Sequence, residues 1–257
     1  MLDSLYAGSL ADAATRQELV SIQEVERLAL ATAPALNALQ FLAPANHIKV
    51  LAEVKRASPS KGDMAEIADP AGLAQIYADN GASAISVLTE QRKFKGSLDD
   101  LRAVRARVSV PLLRKDFIAN EYQILEARAA GADIILLIVA GLDQAELVRL
   151  KDFAEQLGMT AFIETHDRDE VLRALDTGAK FIGVNARNLS TFETDRDLFA
   201  TLVDLFPADV IKVAESAVRN VDDVRHYRKS GADVVLVGEA LVTNNPAEML
   251  QSFLAVQ

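Results

Sequence analysis

From residue 48 onward, short β-branched or aliphatic runs alternate with longer amphipathic stretches, and this alternation limits the possible folds more than any other feature of the chain. The apolar runs at 48–54, 84–88, 111–114, 134–138, 160–163, 181–184, 211–214 and 234–237 read as strands. The stretches at 70–80, 98–107, 121–130, 144–157, 169–177, 196–205, 221–229 and 247–253 carry helical spacing. Strand and helix in strict turn make a parallel sheet covered by helices, and eight of each close into an α/β (β/α)8 barrel, the TIM-barrel architecture.

The punctuation agrees. Gly81-Ala82-Ser83, Gly131-Ala132-Asp133, Gly178-Ala179-Lys180 and Gly231-Ala232-Asp233 each end a helical stretch and precede a strand, at near-regular spacing two βα units apart. Glycine belongs there because a helix C-cap needs positive φ. An open doubly wound sheet is the competing arrangement, but no GxGxxG follows the first strand and no composition break divides the chain. Residues 1–47 read as helix at 2–14, 22–33 and 35–42, with too few apolar positions for a core of their own. They are expected to pack on the barrel as an N-terminal helical extension of one domain spanning 1–257.

Composition narrows the function classes. The chain has 37 acidic and 27 basic residues, a formal net charge of −10, and its Lys and Arg are scattered, so no electrostatic footprint for nucleic acid is present. It has no cysteine and only three histidines, His47, His166 and His226, far apart in sequence. A disulfide framework, a thiol nucleophile and a histidine-rich metal cluster are therefore not expected, and His47 and His166 read as structural. The longest apolar run, 134–142, is short of the roughly 20 residues needed to cross a bilayer. The N-terminal residues carry acids early and lack a basic start followed by an apolar stretch. A cytoplasmic protein with no membrane partner is expected, monomeric by default.

In a parallel barrel, functional groups come from the C-terminal ends of the strands and the loops after them. Here the first strand ends in Glu53-Val54-Lys55, with Ser58 in the following loop; the third in Arg114-Lys115-Asp116-Phe117; the fifth in Glu164. The sixth leads to Asn185 and Arg187, the seventh ends in Glu215-Ser216 and the eighth in Gly238-Glu239. A single charge at a rim is usually a solvated cap. Glu53, Lys55, Lys115, Glu164 and Glu215 together are harder to dismiss, because strand alternation puts Glu53 and Lys55 on one side. Two lysines and three glutamates converging in one cavity would shift one another's pKa values, as acid–base catalysis requires.

The loops after the seventh and eighth strands, where barrel enzymes often hold a substrate phosphate on backbone N–H groups, contain Glu215-Ser216-Ala217 and Val237-Gly238-Glu239. Ordinary βα turns explain these residues equally well. Gly238 favours a phosphate, since it lets backbone approach a ligand, whereas Glu239 would repel one unless its side chain points away. Phe94, Phe117 and Leu189 stand in otherwise polar loops and could enclose an aromatic group, or simply pack on the rim.

Taken together, Glu53-Val-Lys-Arg-Ala-Ser-Pro-Ser-Lys-Gly62, Phe94-Lys-Gly-Ser97, Leu113-Arg-Lys-Asp-Phe117, Asn185-Ala-Arg-Asn-Leu189 and Glu215-Ser216 resemble the indole-3-glycerol phosphate synthase family, in consistent order and spacing from about residue 2 to the C-terminus. The resemblance implies a (β/α)8 barrel whose extra N-terminal segment helps cover the active site. It also implies a lyase of tryptophan biosynthesis that converts 1-(2-carboxyphenylamino)-1-deoxyribulose 5-phosphate to indole-3-glycerol phosphate, carbon dioxide and water, with no metal or organic cofactor. By motif position, Lys115 resembles the general acid for ring closure and Glu164 an acid–base partner for dehydration. Lys55 looks like the contact to the substrate's anionic groups and a further proton source, and Glu53 and Glu215 like carboxylates that orient the lysines and the ribulose hydroxyls. Ser58, Asn185 and Arg187 resemble contacts to the anthranilate carboxylate and hydroxyl chain. Phe94, Phe117 and Leu189 would enclose the ring, and backbone around Ser216, Ala217, Gly238 and Glu239 would hold the phosphate.

Two departures bear on these expectations. Ala217 stands where the family usually has glycine, and Ala240 where it often has serine. The methyl of Ala217 is expected to crowd the phosphate or forbid a positive φ, weakening substrate binding. Two other readings fit the same residues: a different barrel enzyme acting on a phosphorylated sugar, such as an aldolase forming a Schiff base on Lys115, and a binding protein that keeps the pocket without catalysis.

Overall fold

The computed structural model describes residues 1–189 and 191–257. Eight parallel strands close a barrel: Lys49–Val54, Ala84–Leu88, Leu112–Lys115, Ile134–Ile138, Thr160–Thr165, Phe181–Asn185, Ile211–Glu215 and Val234–Val237. Each pairs with its neighbours in sequence order, and the first also pairs with the eighth, Lys49 opposite Val234. The expected strands are all present. Those ending in Lys115, Thr165, Asn185 and Glu215 run one or two residues beyond the apolar runs, because polar residues at the C-terminal ends still belong to the ladder.

The strands are almost wholly buried. Ile134–Ile138 shows no exposed face, which is why it reads as an unbroken apolar run rather than an alternation. Side-chain caps start the helices of the outer ring: Ser97, Asn120, Asp143, Asp167, Asn220 and Asn245 each accept a hydrogen bond from a backbone N–H in the first turn that follows. At the other end, Gly81, Gly131, Gly178 and Gly231 all have positive φ, between 76° and 95°, as the helix-ending motif requires. The expected helix over 196–205 is shorter, Leu198–Leu202 followed by the 3-10 turn Val203–Leu205, and this leaves Arg196 in a loop.

The N-terminal extension forms α1 (Leu2–Leu19), α2 (Ile22–Ala31) and the short α3 (Ala38–Phe41). α1 is anchored through a buried polar network. Ser9 Oγ donates to Asp116 Oδ1 at 2.6 Å, Thr89 Oγ1 to Asp116 Oδ2 at 2.6 Å, and the fully buried Arg114 guanidinium to Asp116 at 3.0 Å. Arg16 adds a pair of bonds to Glu126 on the helix Glu121–Ala129. The middle and the C-terminal part of α1 are thereby fixed to the residue after the third strand and to the helix that follows it. Among the described residues, no helix is long and apolar enough to cross a membrane.

Candidate active site

Ladder register places the chemistry at one level. Asn185 pairs with Glu215, Ile138 with Glu164 and Leu88 with Lys115, so these side chains meet at the C-terminal mouth of the barrel. They open into a cavity of ≈ 680 Å³ lined by all fifteen residues singled out in the sequence: Glu53, Lys55, Ser58, Phe94, Lys115, Phe117, Glu164, Asn185, Arg187, Leu189, Glu215, Ser216, Ala217, Gly238 and Glu239. Met1, Leu2 and Leu5 from α1 line it too, so the extension forms part of the wall, as expected.

Lys115 is the centre of the charge cluster. Its Nζ lies 2.7 Å from Glu215 Oε2, 3.4 Å from Glu164 Oε2 and 4.0 Å from Glu53 Oε1. Glu53 Oε2 in turn meets Lys55 Nζ at 2.7 Å. Burial works against charge on Lys115, but Glu215, Glu164 and Glu53 outweigh it and hold the group as an ammonium, well above the ordinary lysine range. Burial likewise disfavours charge on Glu53, yet the Lys55 and Lys115 ammonium groups keep its carboxyl below the usual range. The two remaining carboxylates diverge. Burial and the neighbouring Glu164 push Glu215 up despite its contact with Lys115. Burial of Glu164 is offset by Lys115, the His166 ring and the amide of Asn185, whose Nδ2 donates to Glu164 Oε1 at 3.0 Å, and its carboxyl is pulled far down.

Asn185 is fixed from its other side: Ser216 Oγ donates to its Oδ1 at 2.8 Å and the Arg187 backbone N–H at 3.0 Å. The apolar wall forms where Phe94 and Phe117 face each other at 6.0 Å between ring centroids, with Tyr6 of α1 edge-on to Phe117 at 5.7 Å. These rings pack on one another and form an apolar wall next to the charged floor.

At the far end, Ser216 and Ala217 both adopt positive φ, 68° and 55°. The expectation that a methyl at 217 forbids that conformation is therefore corrected: the turn forms, with a left-handed cost of about 1–2 kcal/mol per residue. Tyr227 Oη holds it by donating to the Ser216 carbonyl at 3.2 Å. Successive backbone N–H groups in such a turn make an anion-binding concavity. Gly238 is required for space rather than for its φ of −119°, since a Cβ there would lie 2.4 Å from Glu53 Oε2 and 3.1 Å from Lys55 Nζ. Glu239 turns to Lys61 Nζ at 3.2 Å, so its charge is partnered by the loop after the first strand rather than left facing an anion.

Sequence reasoning missed that loop's short antiparallel hairpin, Ala57–Ser58 with Gly62–Asp63, and the placement of Lys61, Arg196 and Arg219 on the cavity wall. His166 needs a correction as well. Expected to be structural and apart from the chemistry, it lies 3.2 Å through Nε2 from Glu164 Oε1. The signal available in the sequence was its spacing two residues after Glu164, on the same side of an extended segment.

Comparison with known proteins agrees with this geometry. The family model for indole-3-glycerol phosphate synthase matches residues 2–253. The chain is 60% identical to the indole-3-glycerol phosphate synthase of Leifsonia xyli subsp. xyli, with 100% of this chain and 98% of the relative covered. It is 55% identical to that of Arthrobacter sp. (99% and 96% covered) and 56% identical to that of Mycobacterium avium (94% and 89% covered). Among solved structures, a thiamine phosphate pyrophosphorylase from Pyrococcus furiosus superposes with a TM-score of 0.60 at 15% identity, over 80% of this chain and 93% of that one, a likeness of fold alone. A barrel shared at such low identity carries no function, but a match along nearly the whole sequence does, and the chain belongs to the indole-3-glycerol phosphate synthase family.

Proposed function

We propose that the chain closes the indole ring of 1-(2-carboxyphenylamino)-1-deoxyribulose 5-phosphate, releasing carbon dioxide and water to give indole-3-glycerol phosphate in tryptophan biosynthesis. The observation that carries the reading is Lys115 Nζ set between Glu53, Glu164 and Glu215 at the floor of a cavity with one aromatic wall. The arene carbon bearing the carboxylate attacks the ketose carbonyl carbon, and the carbonyl oxygen must take a proton as charge develops on it. Lys115 is the donor in this reading. Its carboxylate neighbours make it a weak acid, and the alkoxide, itself strongly basic, draws the proton as charge develops on the oxygen. Loss of carbon dioxide then restores the benzene ring.

Dehydration needs an acid at the departing hydroxyl and a base at the proton on the adjacent carbon. A carboxyl held unprotonated suits the base, and Glu164 is assigned that part, with Lys55 as the second proton source. Glu53 and Glu215 orient the two lysines, and Ser58, Asn185 and Arg187 contact the carboxylate and hydroxyl chain. Phe94, Phe117 and Leu189 enclose the ring, while backbone at Ser216, Ala217, Gly238 and Glu239 takes the phosphate. No step in this scheme calls for a cofactor. An imine-forming lysine fits poorly, because Lys115 is held as an ammonium and an amine nucleophile must be neutral. The same reading has residues 1–257 acting as one domain, a monomer in the cytoplasm.

The test is fluorescence-monitored turnover of the carboxyphenylamino substrate beside Lys115→Ala and Glu164→Gln. The chain has no Trp and 4 Tyr, so indole emission stands clear of the protein's own. Growth of indole emission with wild type, falling by ~10²–10⁴ in each variant, is expected. Substrate binding without indole formation by the wild-type protein would overturn the reading in favour of a binding protein.

A further inference from the structure

His166 follows the fifth strand and stands between two carboxylates. Its Nε2 is 3.2 Å from Glu164 Oε1, a charge contact without an aligned hydrogen bond, and its Nδ1 is 3.0 Å from Glu170 Oε2. The His166 backbone N–H donates to the same Glu170 oxygen at 2.8 Å, so ring and backbone are held by one side chain in the first turn of the helix Arg168–Asp176. The ring is 12% exposed and Glu164 only 3%. A neutral imidazole carries a proton on one nitrogen and a lone pair on the other, and here that lone pair would face a carboxylate oxygen whichever tautomer formed. Only the imidazolium satisfies both contacts.

We propose that His166 is a positioning residue, a fixed cation that makes Glu164 the unprotonated member of the Glu164–Glu215 pair, and so decides which of the two carboxylates acts as base. The inference rests on the catalytic reading of Glu164 given above. Both carboxylates of the pair touch Lys115 Nζ, so that lysine alone does little to tell them apart; its nearer contact, 2.7 Å against 3.4 Å, favours charge on Glu215. The asymmetry comes from behind Glu164, where His166 adds a second positive charge and Asn185 a donor. Among the described residues Glu215 Oε1 has no hydrogen-bond partner, which suits this member to retain a proton. The pKa directions agree: burial lowers the His166 ring's affinity for a proton, but Glu164 and Glu170 raise it to about 10.

Other charges face the ring. Asp167 caps the adjoining helix, and Arg187, Glu193 and Asp195 line with it a neighbouring open cleft. Three of these four are acidic, which reinforces the cation. The acids in the first helical turn, Asp169 and Glu170, offset the unfavourable end of the helix dipole.

The experiment uses the intact enzyme labelled with [15N]histidine. With three histidines in the chain, His166 is assigned by comparison with His166→Gln. The expected result is a ring protonated on both nitrogens through pH 9. A midpoint near the ordinary value of about 6.5 overturns the proposal, and this readout stands whether or not the protein turns over the substrate. Failure to form indole would overturn the catalytic reading instead. In kinetics, His166→Gln is expected to move the acidic limb of kcat upward by about one pH unit or more, with KM within about twofold. A uniform fall in kcat with an unmoved limb is what a merely structural ring gives, and it overturns the proposal. Glu170→Gln keeps the test alive should His166→Gln fail to fold. There the His166 midpoint is expected to drop by about a unit; a midpoint unchanged from wild type counts against the proposal.

Discussion

Gly183, in the sixth strand, is paired in register with Glu164, and it is the position where a single methyl group should separate catalysis from folding. A Cβ built there lies 2.4 Å from Glu215 Oε1 and 2.6 Å from Phe162 Cζ. Phe162 is fully buried and ring-packed on Phe181 at 4.5 Å, so the carboxylate is the part that yields. Restoring ordinary contact moves that oxygen by about 1 Å, since van der Waals contact begins at 3.4 Å. Lys115 is met by the other oxygen, Oε2, at 2.7 Å, and a carboxyl group shifted by this much is expected to lose that geometry. A misplacement of about 1 Å in a catalytic group costs roughly 10²-fold in rate, and overpacking costs about 1–3 kcal/mol in stability. The control is Gly178→Ala. Gly178 has φ +76° with nothing among the described residues within 4 Å of a Cβ, so the substitution there carries only the left-handed backbone cost of about 1–2 kcal/mol. Both variants should therefore melt a few degrees below wild type, at roughly 2–4 °C per kcal/mol for a chain of this size. Only Gly183→Ala should lose turnover in the indole-emission assay. Wild-type kcat in Gly183→Ala would refute the idea that the missing side chain makes room for Glu215.

Lys115→Met removes the cation shared by Glu53, Glu164 and Glu215; beyond lost activity, its melting temperature should lie further below wild type at pH 8.5 than at pH 5.5, because the crowded carboxylates must take up protons to relieve their repulsion. Asp116→Ala strips the fully buried Arg114 of one carboxylate partner and α1 of its Ser9 anchor; urea denaturation should show a loss of about 3–5 kcal/mol, and a midpoint equal to wild type would exclude the network as the clamp on the extension. His166 takes up its proton more strongly when folded, so its stabilisation is complete below its unfolded pKa of about 6.5 and is lost as pH rises through about 10. The stability difference between wild type and His166→Gln should accordingly shrink across pH 6.5 to 10, and a difference constant in pH would contradict the charged ring.

Strand and helix order were legible because each depends on residues close in sequence. The run Ile134–Ile138 buries on both faces wherever it is placed, and Gly131 or Gly178 ends a helix by its own backbone freedom. The site's membership was legible for a related reason: in a closed parallel barrel every strand delivers its C-terminal end to the same mouth, so a residue's place along its own strand already states which cavity it enters. What the sequence could not carry were relations between strands. Glu164 and Glu215 are each a glutamate at a strand end, and apart from His166 two residues after Glu164, the groups that shift them in opposite directions come from other strands. Asn185 reaches Glu164 from the sixth strand, and His166 reaches it only because Glu170 turns the ring, one helical turn further on. The glycine at 238 illustrates the same limit. Read along the chain it is a flexible residue beside a phosphate loop. In the barrel its conformation is ordinary, and the space above its Cα is taken by Glu53 and Lys55 of the first strand, which neighbours the eighth only once the barrel closes. The arrangement thus depends on closure itself: in an open sheet, with the first and eighth strands at opposite edges, Glu53 and Lys55 would not lie against Gly238.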